Sequence, residues 1–288
     1  MRPPQKLGWG ERKRMVENSN PNISVEVHGP VATMRRRSRD EMTPQEADIA
    51  KRSPVSFLAM ANVFDAIRAD DSIRVIVLHG GGGSHAGNPT IQYESQEWKE
   101  HHNDPTNMWQ TFSGVIRMHE VMAAIEKPII SQVNGDVIGG GCNIVFASDL
   151  IVAREDARFM DHHLGMGRAK PIGPPFGLMP GDGGVSLAPL YFSPPLAKEF
   201  VLLGRDFTAK ELAQWGLINY AVPAVELDAK VGELVEQLLD RPAYPLAWAK
   251  RVVSRHIIEQ LNRTLDAGAG YEMIGLVQLE RNGWVDKK

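Results

Sequence analysis

The first half of the chain alternates between two hydrophobic periods. Residues 23–35 alternate apolar and polar positions around a His-Gly-Pro turn, which predicts a β-hairpin. Residues 57–71 carry apolar side chains at helical spacing, and residues 72–83 form an apolar run that ends in four glycines. The pattern then predicts a helix over 108–127, a strand over 128–135, a glycine turn that opens a helix over 137–149 and a strand over 150–154. Strands that alternate with helices predict an α/β fold.

The second half is predominantly helical in pattern after the glycine- and proline-rich stretch 161–184. Helices are predicted over 195–204, 208–216, 227–239 and 245–258. We therefore expect an N-terminal arm over residues 1–22, an α/β core over 23–205 and a C-terminal helical region over 206–288.

Composition excludes several classes of partner. Hydrophobic residues make up 43% of the 288 residues and charged residues 23%, and the net charge is −3. This balance gives no basic field for a nucleic acid, and no apolar run reaches the roughly 20 residues of a membrane span. The N-terminus lacks the apolar segment of a secretory signal, and one cysteine, Cys142, forms no internal disulfide. We expect a cytoplasmic protein that acts on a small molecule, without nucleic acid or membrane partners.

Two glycine turns each follow a predicted strand, GGGGSHAGNP at 80–89 and NGDVIGGGCN at 134–143. Glycine lets backbone N–H groups approach a ligand closely, and the second turn feeds the positive end of a helix. Two converging N–H groups would stabilise an oxyanion. The alternative is that these glycines serve tight packing between strand and helix.

The order of the motifs resembles the crotonase (enoyl-CoA hydratase/isomerase) superfamily. The resemblance covers about residues 23–258 and rests on VIVLHGGGG, KPIISQVNGDVIGGGCNIVFASDLIVA, PGDGG and FTAKELAQWGLINYAV. It implies a ββα spiral core, a C-terminal helical trimerisation region and a homotrimer or a dimer of trimers. It also implies that the backbone N–H groups of Asn88 and Gly140 form an oxyanion hole for an acyl-CoA thioester.

The chain departs from that family at its acid–base positions. Hydratases of the family carry one glutamate where this chain has Asn143, and a second where it has His163. An amide cannot accept a proton as a general base. Simple hydration of an enoyl double bond is therefore doubtful, and Asn143 stays a candidate substrate contact. Pro89 also replaces an aspartate beside the first oxyanion position.

The ends of the stretch 161–184 supply the candidate proton-transfer groups. His163, with His162 beside it, offers an imidazole that titrates near neutral pH. Asp182, in PGDGG, lies where relatives such as dienoyl-CoA isomerases and aromatic acyl-CoA dehalogenases carry a catalytic aspartate. The 6-oxocamphor hydrolase branch, which cleaves a cyclic β-diketone, also pairs a histidine with a downstream PGDG aspartate. The alternatives are that His163 is a polar residue with a structural role and that Asp182 caps the N-terminus of a helix.

Further side chains are candidates for other roles. Arg168, His85 and His162 could contact the substrate, although exposed or structural roles are the alternatives. Glu272 and Glu280 lie in the C-terminal region, and their position alone assigns them no role. The glycine runs match neither a P-loop nor a dinucleotide fingerprint. We expect no metal and no cofactor other than coenzyme A as part of a substrate.

Together these features predict an enzyme that stabilises an enolate or oxyanion of an acyl-CoA or β-dicarbonyl substrate. We expect isomerisation or retro-Claisen C–C bond hydrolysis rather than hydration. Three alternatives remain open: a conventional enoyl-CoA hydratase with substituted residues, a diketone hydrolase that uses no coenzyme A, and a catalytically inactive binding protein of the same fold.

Overall fold

A computed structural model of the chain describes residues 13–15, 20–37, 41–47, 56–80, 104–161, 163–164 and 178–281. The strands in these ranges are β1 (Lys13–Met15), β2 (Ile23–His28), β3 (Val31–Arg36), β4 (Val75–His79), β5 (Ile129–Val133), β6 (Val137–Ile138), β7 (Leu150–Arg154), β8 (Arg158–Met160), β9 (Phe207–Thr208) and β10 (Tyr220–Val222). The helices are α1 (Ser56–Arg68), α2 (Pro105–Ala124), α3 (Gly140–Phe146), α4 (Gly184–Tyr191), α5 (Pro194–Leu202), α6 (Ala209–Gln214), α7 (Leu227–Leu239), α8 (Ala243–Val253) and α9 (Arg255–Arg281). The chain has the α/β architecture that the sequence predicts.

The larger sheet has the strand order β1-β2-β3-β4-β5-β7-β10. Its first three strands are antiparallel, and β2 and β3 form the predicted hairpin, with Val25 opposite Met34. The pairings from β3 to β10 are parallel. Strands β4 and β5 are apolar and buried over most of their length, as is typical of parallel strands covered on both faces.

Alternate side chains of these strands enter different hydrophobic clusters. Ile76 and Leu78 of β4 belong to the main core, which also contains apolar side chains of α1 and α2. Val75 and Val77 point to the opposite face, where α7 covers them with residues such as Leu234. The strand period of two therefore produces a layered structure with helices on both sides of the sheet.

The smaller sheet, in the order β6-β8-β9, places the start of α3. The Gly139 N–H donates to the carbonyl of Met160, which joins the glycine turn to the end of β8. Gly139 has φ +52°, a left-handed conformation in which a side chain would be strained. The glycines of this turn thus let α3 begin directly beside the residues that follow β8.

The predicted helices and strands are confirmed, with one difference in the C-terminal region. The helix predicted over 245–258 is divided near Ser254 into α8 and α9, and α9 continues for 27 residues. It packs against α2 and α4 and so reaches back to the α/β core. Of the predicted arm, residues 13–15 form β1, while 1–12 and 16–19 lie outside the described residues. Among the described helices, none is long and apolar enough to cross a membrane.

Candidate active site

Three of the predicted site residues lie together in the fold. Gly140 is the first residue of α3, His163 follows β8, and Asp182 lies in the turn before α4. A Cβ atom added at Gly140 would lie 2.8 Å from Asp182 Oδ2 and 3.2 Å from the ring of Phe57. The missing side chain therefore lets the Asp182 carboxylate lie against the backbone at the start of α3.

The imidazole of His163 is held by Asp161. His163 Nδ1 lies 2.8 Å from Asp161 Oδ1, and the same oxygen accepts the His163 backbone N–H at 3.0 Å. Asp161 is 1% exposed, so this contact is shielded from water. Because a carboxylate oxygen accepts, Nδ1 carries the hydrogen, and the other ring nitrogen is directed away from Asp161.

His163 Nε2 faces two buried carboxyl groups. Asp182 Oδ2 lies 3.7 Å away and Glu272 Oε1 lies 3.9 Å away. These separations are longer than direct hydrogen bonds. The three side chains thus surround one point beside Gly140.

Glu272 reaches this point from α9, far along the sequence from the other site residues. Its carboxyl group is buried, and among the described residues no hydrogen-bond partner is found for Oε2. The turn before α4 packs closely on the same helix: a Cβ added at Gly181 would lie 2.0 Å from the carbonyl oxygen of Gly268. The sequence left Glu272 without a role because only the packing of α9 brings it to His163. The side chain of Glu280 lies outside the described residues.

The Asn143 side chain holds Asp182 from the other direction. Asn143 Nδ2 donates to Asp182 Oδ1 at 2.7 Å and to the Asp182 backbone carbonyl at 3.0 Å. Asn143 is 1% exposed, and its amide nitrogen donates both of these hydrogen bonds to Asp182. The amide at the family's first glutamate position therefore serves as a donor to Asp182.

Burial and mutual charge set the protonation of these groups. Burial works against the charged form of His163, but the negative charges of Asp161 and Asp182 outweigh it and raise the pKa of His163 well above 6.5. Burial, assisted by the Asp182 charge, raises the pKa of Glu272 to about 8. Burial also raises the pKa of Asp182, against the opposing effects of the His163 charge and the Asn143 hydrogen bond. At neutral pH the site therefore holds an imidazolium and a protonated Glu272.

A second buried histidine, His119 on α2, lies behind the turn. Its Nδ1 donates to the Val115 carbonyl at 2.8 Å, and a Cβ added at Gly183 would lie 2.7 Å from Nε2. Burial lowers the pKa of His119 to about 4, so the ring is neutral. In the sequence it is one polar residue in an amphipathic helix, and nothing there distinguishes it.

The side chains of His163, Asp182 and Glu272 could also bind a cation. The ligand atoms of His163, Asp182 and Glu272 all lie within 4.8 Å of one another. Histidine and carboxylate side chains are metal ligands as well as proton carriers. The expectation that no metal takes part therefore stays a prediction.

The other predicted site residues fall on parts of the chain that are not described. Asn88, His85, His162 and Arg168 lie outside the described residues, so the oxyanion position at Asn88 and the three candidate substrate contacts stay predictions. Asp161 was not predicted, although its place two residues before His163 in the DHH sequence is a spacing at which a side chain can accept the later residue's N–H.

Comparison with known proteins supplies the family. Residues 56–273 match the family model "Enoyl-CoA hydratase/isomerase". Carnitinyl-CoA dehydratase of Salmonella typhi is 30% identical over 215 residues, which cover 73% of this chain and 76% of the relative.

Two solved structures share the fold. An enoyl-CoA hydratase/isomerase from Mycobacterium paratuberculosis superposes with a TM-score of 0.73 at 23% identity, over 89% of this chain and 94% of that one. A beta-diketone hydrolase from the cyanobacterium Anabaena, bound to (S)-3-oxocyclohexyl acetic acid, superposes with a TM-score of 0.71 at 19% identity, over 97% of this chain and all of that one. With the family model matching most of its length, the chain belongs to the enoyl-CoA hydratase/isomerase family, the crotonase superfamily of enzymes.

Proposed function

We propose that this protein hydrolyses a C–C bond of a β-dicarbonyl substrate by a retro-Claisen reaction. The observation that carries the proposal is the arrangement of His163 Nε2, Asp182 Oδ2 and Glu272 Oε1 around one point, with separations of 3.7 and 3.9 Å from the imidazole. A water molecule placed to one side of these three atoms, at hydrogen-bond distance from each, could bond to all three groups. Isomerisation needs no water there, which is why we favour hydrolysis.

The substitution at Asn143 argues against direct hydration. A hydratase of this family needs a base at that position, and the Asn143 amide instead donates to Asp182. Asp182 is then the carboxylate nearest to Gly140. We assign it the role of general base.

The proposed reaction proceeds in three steps. Asp182 takes a proton from the bridging water, whose oxygen bonds to one carbonyl carbon of the substrate. The bond between that carbon and the neighbouring α-carbon then breaks, and its electron pair forms the enolate of the second carbonyl group. The Gly140 N–H donates to the enolate oxygen, because the first amides of a helix have no intrahelical acceptor. A proton from the site adds to the α-carbon, and the products are a carboxylic acid and a ketone.

Protonation in the resting site suits these roles. Burial raises the pKa of Asp182, whereas the positive charge of His163 beside it works in the opposite direction and favours the carboxylate form that a base requires. Glu272, with its pKa raised to about 8, holds a proton at neutral pH and is our candidate for the group that protonates the α-carbon. Asp161 keeps the imidazole oriented. The fold neighbour named as a beta-diketone hydrolase supports the view that this fold can accommodate such chemistry.

The second candidate is elimination or isomerisation on an acyl-CoA thioester through a similar enolate. It is favoured by the 30% identity to carnitinyl-CoA dehydratase and by the glycine turn at Gly140. In that reaction Asp182 would take a proton from the carbon beside the thioester, and a protonated group of the site would assist the departing hydroxyl group.

One set of assays separates these functions. The protein is incubated with cyclic and linear β-diketones, with crotonyl-CoA and with a β-hydroxyacyl-CoA, and products are identified by mass spectrometry in water enriched in oxygen-18. We expect ring opening of a cyclic β-diketone, with one heavy oxygen in the new carboxyl group, and a loss of about 10²–10⁴-fold in kcat for Asp182→Asn. Turnover restricted to the thioesters would support the second candidate. A catalytically inactive protein would convert none of the substrates.

We also propose the homotrimer, or dimer of trimers, that the resemblance implies. Large apolar side chains on α8 and α9 support it, because Tyr244, Trp248 and Tyr271 are 73%, 51% and 62% exposed in the single chain. Light scattering during size-exclusion chromatography measures the mass directly, and a monomeric mass would contradict this proposal.

A further inference from the structure

We infer that Asn143 is a positioning residue that turns the Asp182 carboxylate toward His163 and Gly140, and that the position requires an amide rather than an acid. This inference rests on the proposed function for its catalytic consequence. Its structural content stands on the contacts between Asn143 and Asp182 alone.

The orientation of the Asn143 amide follows from its partners. The two atoms that it meets, Asp182 Oδ1 at 2.7 Å and the Asp182 carbonyl oxygen at 3.0 Å, are both acceptors. Only the amide nitrogen can satisfy them, and it has two hydrogens for the purpose. Both bonds go to one residue, so Asn143 fixes the main chain and the side chain of Asp182 together.

This attachment decides which carboxylate oxygen faces the site. Because Oδ1 is bound to Asn143, Oδ2 is the oxygen that lies 3.7 Å from His163 Nε2. Oδ2 is also the oxygen nearest to the position of a Cβ at Gly140, at 2.8 Å. Without the amide, the Asp182 side chain could rotate about its χ angles and leave this position.

The backbone of the turn is shaped to permit the contact. Gly183 has φ +127°, and a Cβ there would lie 3.0 Å from the Asn143 Cβ and 2.7 Å from His119 Nε2. A side chain at position 183 would be strained and would push the turn away from α3. Asn143 and Gly183 therefore act together to bring Asp182 against the start of α3.

An ionised acid at position 143 would repel the Asp182 carboxylate instead of holding it in place. An ionised carboxylate offers acceptors only, so it would face the acceptors of Asp182 at hydrogen-bond distance with like charge. An ionised acid at position 143 therefore cannot make the two hydrogen bonds that hold Asp182 in this chain. The amide of Asn143, by contrast, donates to the Asp182 carboxylate and keeps it in position to act as a base.

Several titratable groups surround Asp182 and enter any test by pH. His163 and Asp161 face it from the segment after β8, and Glu272 faces it from α9. Cys142 adjoins it from α3, and His119 lies behind the turn on α2. A comparison of variants that differ at one position cancels the contributions that these neighbours share.

The first test is the pH dependence of kcat for Asn143→Asp, with Asn262→Asp as the matched control on the exposed face of α9. At neutral pH we expect a loss of about 10²-fold in kcat for Asn143→Asp with little change in KM. On acidification this variant should recover relative to wild type, because the protonated carboxyl at position 143 can donate to Asp182. The control should follow the wild type at every pH. A uniform loss for Asn143→Asp at all pH values would overturn the inference.

The second test needs no substrate. Protein labelled with carbon-13 at aspartate carboxyl groups is titrated by NMR, and Asp182→Asn assigns the resonance of Asp182. We expect Asn143→Asp to replace the single Asp182 titration by two coupled steps, one of them shifted to higher pH. An unchanged Asp182 titration would refute the contact, whatever the substrate proves to be. If the β-diketone assays fail while this shift appears, the proposed function is wrong and the positioning role of Asn143 stands.

A swapped pair covers the case in which Asn143→Asp does not fold. The double variant Asn143→Asp with Asp182→Asn restores one amide and one carboxylate across the same contact. We expect it to recover the melting temperature that Asn143→Asp alone loses, but not the activity, because the carboxylate no longer lies beside Gly140. Failure of the swap to recover any stability would contradict a direct interaction between the two side chains.

Discussion

Replacing Glu272 by glutamine tests the charge state of the site through protein stability. Burial and the Asp182 charge raise the pKa of Glu272 from 4.5 to about 8, so the folded protein keeps this proton where the unfolded chain releases it. Between these two pH values the free energy of unfolding falls as pH rises, by about 1.4 kcal/mol per pH unit from this one group. Glutamine has no proton to release, so the Glu272→Gln variant lacks this decline.

The measurement is chemical denaturation of both proteins at about pH 5.5 and about pH 7.5. Over these two units the wild type should lose about 3 kcal/mol relative to Glu272→Gln. The exposed residue Glu236 on α7 provides a matched Glu→Gln control, which should show no such pH-dependent difference. A stability difference between wild type and Glu272→Gln that stays constant with pH would refute the view that Glu272 is buried with its proton.

The remaining predictions concern packing, orientation and metal dependence. Gly181→Ala places a Cβ 2.0 Å from the carbonyl oxygen of Gly268 on α9 and should lower the free energy of unfolding by about 1–3 kcal/mol, seen as a lower Tm. Gly270→Ala, also on α9, meets no described atom within 4 Å and should not lower Tm. An equal Tm for both would contradict the tight contact. Asp161→Asn should leave KM nearly unchanged but lower kcat, because it removes the negative charge that orients the His163 imidazole and raises its pKa. An unchanged pH profile of kcat would count against that role of Asp161. Dialysis against EDTA should leave activity intact, and restoration of lost activity by a divalent cation would instead assign the His163 cluster to a metal.

The sequence predicted the parts of the fold in which local pattern and burial agree. The alternation in 23–35 became the hairpin β2–β3, and the apolar run before the glycines became β4. The helix over 227–239 was predicted with the bounds of α7, because its apolar stripe faces the sheet. The long helix α9 was missed beyond residue 258, since its exposed and buried faces depend on α2 and α4, which no local pattern reveals.

The sequence likewise predicted one part of the candidate site and missed another. His163, Asp182 and Gly140 stand in recognisable motifs, and the structure brings them together. Asp161 matters only because its oxygen is buried beside the imidazole, and Glu272 only because α9 crosses the turn before α4. These are consequences of tertiary packing, so the sequence supplied the residues without their roles.

The close contact between the turn before α4 and α9 makes completion of the site depend on the docking of α9. His163, Asp182 and Asn143 belong to segments that precede α9 in the chain, whereas Glu272 is carried by that helix. An intermediate in which α9 is undocked would contain the base without the protonated acid. Under the proposed mechanism the protein would therefore be catalytically competent only with α9 docked, and recovery of activity during refolding would report that docking as well as formation of the sheet.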